Sequence, residues 1–412
     1  MEHKFIRNRD IVMFSSQPWD TEIGSNFKDM ALELAKYNRV LYVNRALDRS
    51  SRIKHKDDHK VKARLASIRE GLGEMEQVQQ NLWVQNPRTI LESINRIPFH
   101  FVHDYINKVN NKRLAAEINK GIEKLGFNDV ILINDNDFVR GFYQKELVKC
   151  SDFIFYIRDF MLGVDFFKKH GPRHEAGIMR KADMVVANSS YLAEYSRKQN
   201  ANSFDIGQGC DLTQFLVRNL PKPADLQNIP GPVIGYTGNL SIVRIDFPLI
   251  RHIAANLPEC SIVLVGPADP EFRQEELSDL KNIYFLGAKP PDQLASYITH
   301  FDVCINPQIL NVITVGNYPR KVDEYLAMGK PIVATATEAM RMFENHTFLC
   351  ASKEEYVEKI KMILANPALS AEEMQESRRQ FALSHTWENS IGLMGDAYHQ
   401  VKQAKRTGNG RA

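Results

Sequence analysis

The chain has 412 residues, 43% hydrophobic and 25% charged, with a net charge of +3. That length exceeds what one hydrophobic core usually serves, and that composition excludes wholesale disorder. Five cysteines lie tens of residues apart with no C-x-x-C, which excludes a zinc ribbon, a dithiol redox motif and a dense disulfide framework. The stretch from Met1 to Arg7 lacks a signal peptide's apolar run and no run of about 18 apolar residues occurs, so the expectation is a cytoplasmic protein without a membrane span.

In chain order, Ile11–Phe14 reads as a buried strand, and Ser25 or Asn26 can cap a helix running to about Tyr37. Arg39–Val43 is the next strand. A dense basic segment follows, Arg45 to Arg64, with eight Lys or Arg against Asp48, Asp57 and Asp58. It reads either as a solvated loop or as a surface for an anionic membrane or glycan carrier. Nucleic acid fits less well, because no aromatics are interleaved for base stacking. Strands at Asn81–Gln85, Val130–Ile133, Phe153–Ile157 and Met184–Ala187 alternate with helices, one of them Phe138–Val148. Four prolines between Asn219 and Pro232 suggest an interdomain linker.

The alternation then restarts. Strands fit Val233–Tyr236, Ser261–Val265, Ile283–Leu286, Asp302–Ile305 and Pro331–Ala334, with helices at Phe247–Asn256, Asp269–Leu280, Pro291–His300 and Pro319–Met328. Ser352-x-x-Glu355 and Ser370-x-x-Glu373 read as capping boxes, and a last helix runs from about Trp387 to Lys402. The class is α/β: two Rossmann-like domains with parallel sheets, 1–205 and 206–385, then a helix and polar tail over 386–412. Open α/β sheets bind ligands at the carboxyl ends of their strands, and nucleotides are common there.

The most informative stretch runs from Asn317 to Thr335, with the core Pro319-x-Lys321-x-x-Glu324-Tyr325-Leu326-Ala327-x-Gly329-Lys330-Pro331. Pro319 suits the first helical turn and Gly329 the left-handed position after the last. Lys321 and Glu324, three apart, share a face at the amino end, where free amides and the helix dipole attract phosphate. Glu324 can accept hydrogen bonds from both hydroxyls of a ribose. A capped amphipathic helix with a surface ion pair accounts equally for these residues.

The stretch resembles the nucleotide-sugar signature of GT-B glycosyltransferases of the family 1/family 4 type, nearest their bacterial cell-surface polysaccharide members. Further matching pieces run along nearly the whole chain, from Gln17-Pro18-Trp19-Asp20 through Ala182–Ser189, Gly209-Cys210-Asp211 and Ile234–Leu240 to Leu264–Pro267 and Phe301–Pro307. The resemblance implies two domains facing across a cleft and a final helix crossing back to the first. It implies a UDP- or GDP-sugar donor bound by the second domain through Gly238, Asn239, Arg244, Gly266, Asn317, Tyr318, Lys321 and Glu324. The acceptor, a hydroxyl of a glycan or lipid-linked glycan, belongs to the first domain. No metal or other cofactor is expected, since helix amides and cations meet the diphosphate charge. Peripheral contact with the inner face of an anionic membrane through Arg45–Arg64 is a further expectation.

Eight positions before Glu324, where many retaining members carry a second glutamate, stands Gly316. An inverting transferase needs one carboxylate base, and Asp159 at a strand end is the candidate, with Asp20 and Asp104 behind it. A structural pairing of Asp159 with Arg158 is the competing reading. Asp135-Asn136-Asp137 is a literal D-x-D, but Asp137 can simply cap the following helix. In His100-Phe101-Val102-His103-Asp104 the two histidines are three apart on a predicted helix, but no third ligand is nearby in sequence, so surface or satisfied histidines are the expectation. A nucleotide-sugar 2-epimerase and a non-catalytic nucleotide-sugar-binding subunit of an assembly complex remain alternatives to a transferase.

Overall fold

The computed structural model describes residues 3–20, 25–54, 59–70, 74–272, 274–312 and 314–408. It divides into two compact units, Met1–Gly209 together with Trp387–Ala412, and Cys210–Thr386.

The first unit carries β1 (Asp10–Ser15), β2 (Arg39–Val43), β3 (Met75–Gln79), β4 (Leu82–Gln85), β5 (Ile131–Asp135), β6 (Asp152–Ile157), β7 (Met184–Ala187) and β8 (Ser203–Asp205). They form one sheet in the order β3-β4-β2-β1-β5-β6-β7-β8, parallel throughout except for β3 against β4. Successive side chains of a strand point to opposite faces, and both faces are covered, which is why β1 and β6 read as continuous apolar runs. Ile11, Met13, Ile154 and Tyr156 enter one core, with Phe27 and Met30 of the Asn26–Leu34 helix. Val12, Phe14, Phe153 and Phe155 enter the other, with Leu114 and Ile118 of the His100–Lys124 helix and Ile178 of the Gly171–Lys181 helix. The last helix, Trp387–Gly408, adds Trp387, Ile391, Met394 and Tyr398 to the first of these cores.

The second unit carries β9 (Val233–Thr237), β10 (Ser261–Val265), β11 (Ile283–Gly287), β12 (Val303–Asn306), β13 (Ile332–Thr335) and β14 (Phe348–Cys350). Their order is β11-β10-β9-β12-β13-β14, and every pairing is parallel. Its central strands are again buried on both faces, as in β10, with Val263 and Val265 on one side and Ile262 and Leu264 on the other.

Several expectations need correction. The proline-rich segment 219–232 is no linker: the second unit begins at Cys210, and Leu226 and Ile229 are buried in its core. Among the described residues of Asp269–Leu280 only Gln274–Leu277 is helical, as a 3-10 turn. Phe138–Val148 is mostly turns, with a helix confined to Gln144–Leu147. Ser370 closes a 3-10 turn, and the next helix, Glu372–Leu383, starts at Ala371 without a side-chain cap. Ser352 does cap its helix, accepting from the Glu355 amide. Within the basic segment, Arg49–Lys54 and His59–Glu70 are helical.

Candidate functional site

In the second unit, register brings two glycines together. Pairing of β9 with β10 sets Thr237 beside Val265, so the glycines after them, Gly238 and Gly266, are neighbours. Gly266 adopts φ 151°, and a Cβ there would overlap the Gly238 carbonyl. Gly238, at φ 130°, has the end of Lys321 against the place its own side chain would fill. Only glycine permits both the backbone angle and the approach.

The Arg320–Ala327 helix starts at the same edge, because it follows β12 in a parallel sheet and precedes β13. Pro319 opens it with no side-chain cap hydrogen bond, and helix amino ends favour anions. Tyr325 fixes the helix to β9: its hydroxyl oxygen accepts the Thr237 amide at 2.7 Å. The Lys321 ammonium lies over the Tyr236 ring at 5.0 Å and forms no ion pair among the described residues. Glu324, one turn along, is partly exposed, and its carboxylate has no hydrogen-bond donor among the described residues. Burial pushes its carboxyl up, against the pull of Arg320 and Lys321. A cation against Gly238 and a carboxylate one helical turn along, neither with an ion pair or hydrogen bond among the described residues, can meet a diphosphate and a diol together.

Other predicted donor residues differ in their surroundings. Asn239 donates to Asp269 at 3.0 Å, and its carbonyl accepts the Tyr236 hydroxyl at 3.1 Å, so its side chain shapes the loop. Arg244 is exposed on that loop. Hydrogen bonds from Ser241 and Asn239, aided by the Arg244 charge, hold the Asp269 carboxyl below the usual range. Asn317 is half-buried before the helix. Tyr318 departs from its expected role: it is buried, and its hydroxyl donates to Asp323 at 2.7 Å. Sequence reasoning missed Asp323 itself. It is fully buried and also takes the His385 ring nitrogen Nδ1 at 2.7 Å and the Cys210 thiol at 3.3 Å. A charged residue flanked by Val322 and Leu326 on a helix's apolar side was the available signal.

At the strand ends of the first unit the charges are engaged with one another. Asp135 is fully buried, accepts from Ser15 Oγ at 2.8 Å, and pairs with Arg158 at 2.7 Å. Two carboxylates, Asp135 and Asp159, hold the Arg158 guanidinium cationic despite its burial. Asp137 accepts the Arg140 amide at 2.9 Å and pairs with its guanidinium at 2.7 Å. Both acids of the D-x-D therefore have protein partners. Asp159 also lies 3.3 Å from Arg158, yet its side chain keeps 30% exposure. Asp20 pairs with Arg64 at 3.0 Å.

Asp104 gains what the sequence left out, His174 on the Gly171–Lys181 helix. His103, Asp104 and His174 offer ligand atoms within 4.8 Å of one another. Burial works against the Asp104 anion, but hydrogen bonds from Arg173, His103 and His174 hold its carboxyl well below the usual range. Burial pushes His174 down to about 4, so at neutral pH it is an uncharged donor to Asp104. Any cation there has to displace the Arg173 guanidinium, which grips both carboxylate oxygens.

Of the basic segment, residues 55–58 lie outside the described residues, as do the side chains of Arg52, Lys54 and Lys60. Arg45, Arg49 and Arg64 pair with Asp48, Glu92 and Asp20. Among the described residues no helix is long and apolar enough to cross a membrane.

Comparison with known proteins bears on the second unit first. Residues 231–366 match the family described as glycosyl transferases group 1. Over 178 residues, 42% of this chain and 45% of the relative, the chain is 28% identical to TuaH of Bacillus subtilis (strain 168), named as a teichuronic acid biosynthesis glycosyltransferase. The match thus spans less than half of that relative's length. Sucrose-phosphate synthase from Thermosynechococcus elongatus shares the fold with a TM-score of 0.65 at 16% identity, over 96% of this chain and 100% of that one. Anabaena HepE in complex with UDP does so with a TM-score of 0.63 at 15% identity, over 97% and 100%. On these grounds the chain has the GT-B glycosyltransferase fold, and its residues 231–366 are a glycosyl transferases group 1 domain.

Proposed function

We propose that the protein transfers a hexosyl group from a UDP- or GDP-sugar to a hydroxyl of a glycan or lipid-linked glycan during assembly of a cell-surface polysaccharide. The observation that carries this reading is Lys321 and Glu324 on the Arg320–Ala327 helix, without ion-pair or hydrogen-bond partners among the described residues, with Lys321 against Gly238. Lys321 and the helix amides take the diphosphate, Glu324 the ribose, and Arg244 the charge that develops as the diphosphate leaves. HepE is described in complex with UDP and with UDP-glucose, which supports a uridine donor here. TuaH's name supports an anionic wall polysaccharide as the setting.

In this reading the acceptor oxygen bonds to the anomeric carbon while that carbon's bond to the diphosphate breaks. Asp159 takes the hydroxyl proton, and the nucleoside diphosphate leaves with the electron pair. No metal takes part, and the protein works at the cytoplasmic face of the membrane, held there peripherally by the Arg45–Arg64 segment. A thermal-shift screen of UDP, GDP, ADP and TDP with their sugars tests the donor. Ligand at a hundred times its dissociation constant stabilises by about 2.7 kcal/mol. No shift with any of them removes the reading. A shift accompanied by donor-sugar interconversion without acceptor replaces it with an epimerase.

A further inference from the structure

The first unit turns several large apolar side chains to solvent. Among its described residues these are Ile53, Phe99, Phe101, Tyr105, Val164 and Phe166. Phe99 is 62% exposed, Phe101 74% and Tyr105 72%. Single exposed apolar residues are ordinary, but aromatic residues gathered together mark an interaction surface.

Their arrangement is fixed from beneath. On the His100–Lys124 helix, His103, Asn107, Asn110 and Asn111 face inward and are buried. That orientation leaves Phe101 and Tyr105, four apart, on the outer stripe, and Lys108 and Lys112 continue it over the next turns. The Phe99 ring lies 6.0 Å from that of Phe101. The segment 160–170 is fastened alongside: the His170 ring meets His100 Nδ1 at 3.0 Å and the Ile97 carbonyl at 3.0 Å. Within that segment Phe167 packs against Phe138 at 5.0 Å, while its neighbour Phe166 stays 58% exposed. The segment is therefore seated, and Phe166 still faces water.

We propose that this aromatic and lysine surface docks the protein on an anionic lipid bilayer, with Phe99, Phe101, Tyr105 and Phe166 at headgroup depth. Charge selects this occupant. The acids of the two segments are already neutralised, Asp104 by Arg173 and Asp165 by Lys168. Lys108, Lys112 and Lys169 have no ion pair among the described residues, so the rim of the patch is cationic. A second copy meeting the same patch symmetrically sets lysines against lysines. Acidic headgroups instead attract each lysine, while the rings settle at the interface between water and acyl chains. The surface is distinct from the Arg45–Arg64 segment, and the inference does not depend on which sugar is transferred.

The test is co-sedimentation of the full chain with vesicles of phosphatidylcholine alone or mixed with phosphatidylglycerol. Wild type pellets with the mixed vesicles and is released by salt. Replacing Phe101, Tyr105 and Phe166 together by serine lowers the partition coefficient by roughly a hundredfold. Lys108→Gln with Lys112→Gln lowers it by roughly thirtyfold on mixed vesicles only. Melting curves equal to wild type establish that the variants are folded, as expected for exposed positions. Wild type that ignores mixed vesicles overturns the proposal, as does a folded aromatic variant that pellets like wild type. Concentration-dependent self-association lost in the aromatic variant, without vesicle binding by wild type, overturns it in favour of a second copy.

Discussion

The strand ends of the two units treat charge in opposite ways. In the second unit, Lys321, against Gly238, and Glu324 have no ion pair or hydrogen bond among the described residues. In the first, Asp135, Arg158, Asp137 and Arg140 bind one another, and Asp159 shares Arg158. Both edges come from the same kind of parallel sheet, so the fold does not dictate the difference. An edge whose charges lack partners is poised for a ligand that supplies them. An edge whose charges are paired is a scaffold, and whatever it does chemically falls to its exposed remainder, here Asp159.

The sharpest way to break that contrast is Asp159→Asn. It keeps shape and most hydrogen bonds but takes no proton, so turnover should fall about 10²–10⁴-fold with nucleotide affinity unchanged. Turnover equal to wild type per folded molecule, with a lowered melting temperature, makes Asp159 another member of the scaffold. The search for a base then moves to Asp20 and Asp104. Next in size is Asp135→Asn, which leaves Arg158 without its fully buried partner. Removing one member of a buried pair typically destabilises by about 3–5 kcal/mol, read by denaturant titration. Nucleotide should still stabilise the folded fraction, since the donor groups lie in the other unit.

Smaller effects are expected where charges await a ligand. Glu324→Ala and Lys321→Ala should each weaken nucleotide binding by about 1.5–3 kcal/mol in calorimetry, while leaving the apo protein's stability nearly unchanged. Wild-type affinity in both variants removes the donor assignment. The smallest expected effect is that of EDTA, which should leave transfer intact. Activity lost in EDTA and restored by Mn²⁺ or Mg²⁺ means that Asp135 and Asp137 exchange their present partners for a metal.

Legibility in the sequence followed the range of the interactions. Strands such as β1 and β10 are buried on both faces and announce themselves as apolar runs. β3, Met-Glu-Gln-Val-Gln, lies at the sheet edge with little burial, and β8 and β14 have three residues each, so none leaves a pattern. The acidic run before Leu280 has helix-forming residues, yet closes only a 3-10 turn, and helix-forming composition over so short a stretch does not by itself make a helix. Lys321 and Glu324 were readable because three residues separate them and Pro319 and Gly329 bracket their helix. Ser15, Asp135 and Arg158 meet only because register sets Ser15 beside Asp135 and Asp135 beside Tyr156. His174 reaches Asp104 from 70 residues away. Such encounters depend on strand order, which local patterning does not encode.

The last helix carries a consequence for synthesis. The chain leaves the first unit at Gly209, builds the whole second unit through Thr386, and only then supplies Trp387, Ile391, Met394 and Tyr398 to the first core. On a ribosome, the later-made unit has all its strands and its glycine cradle before the earlier-made one can close. Until then Phe27 and Met30 lack the helix that packs on theirs, a sticky half-core waiting on the final stretch of message. Premature termination shortly before Trp387 thus yields a chain whose defect lies at its beginning, with the second unit's own core complete.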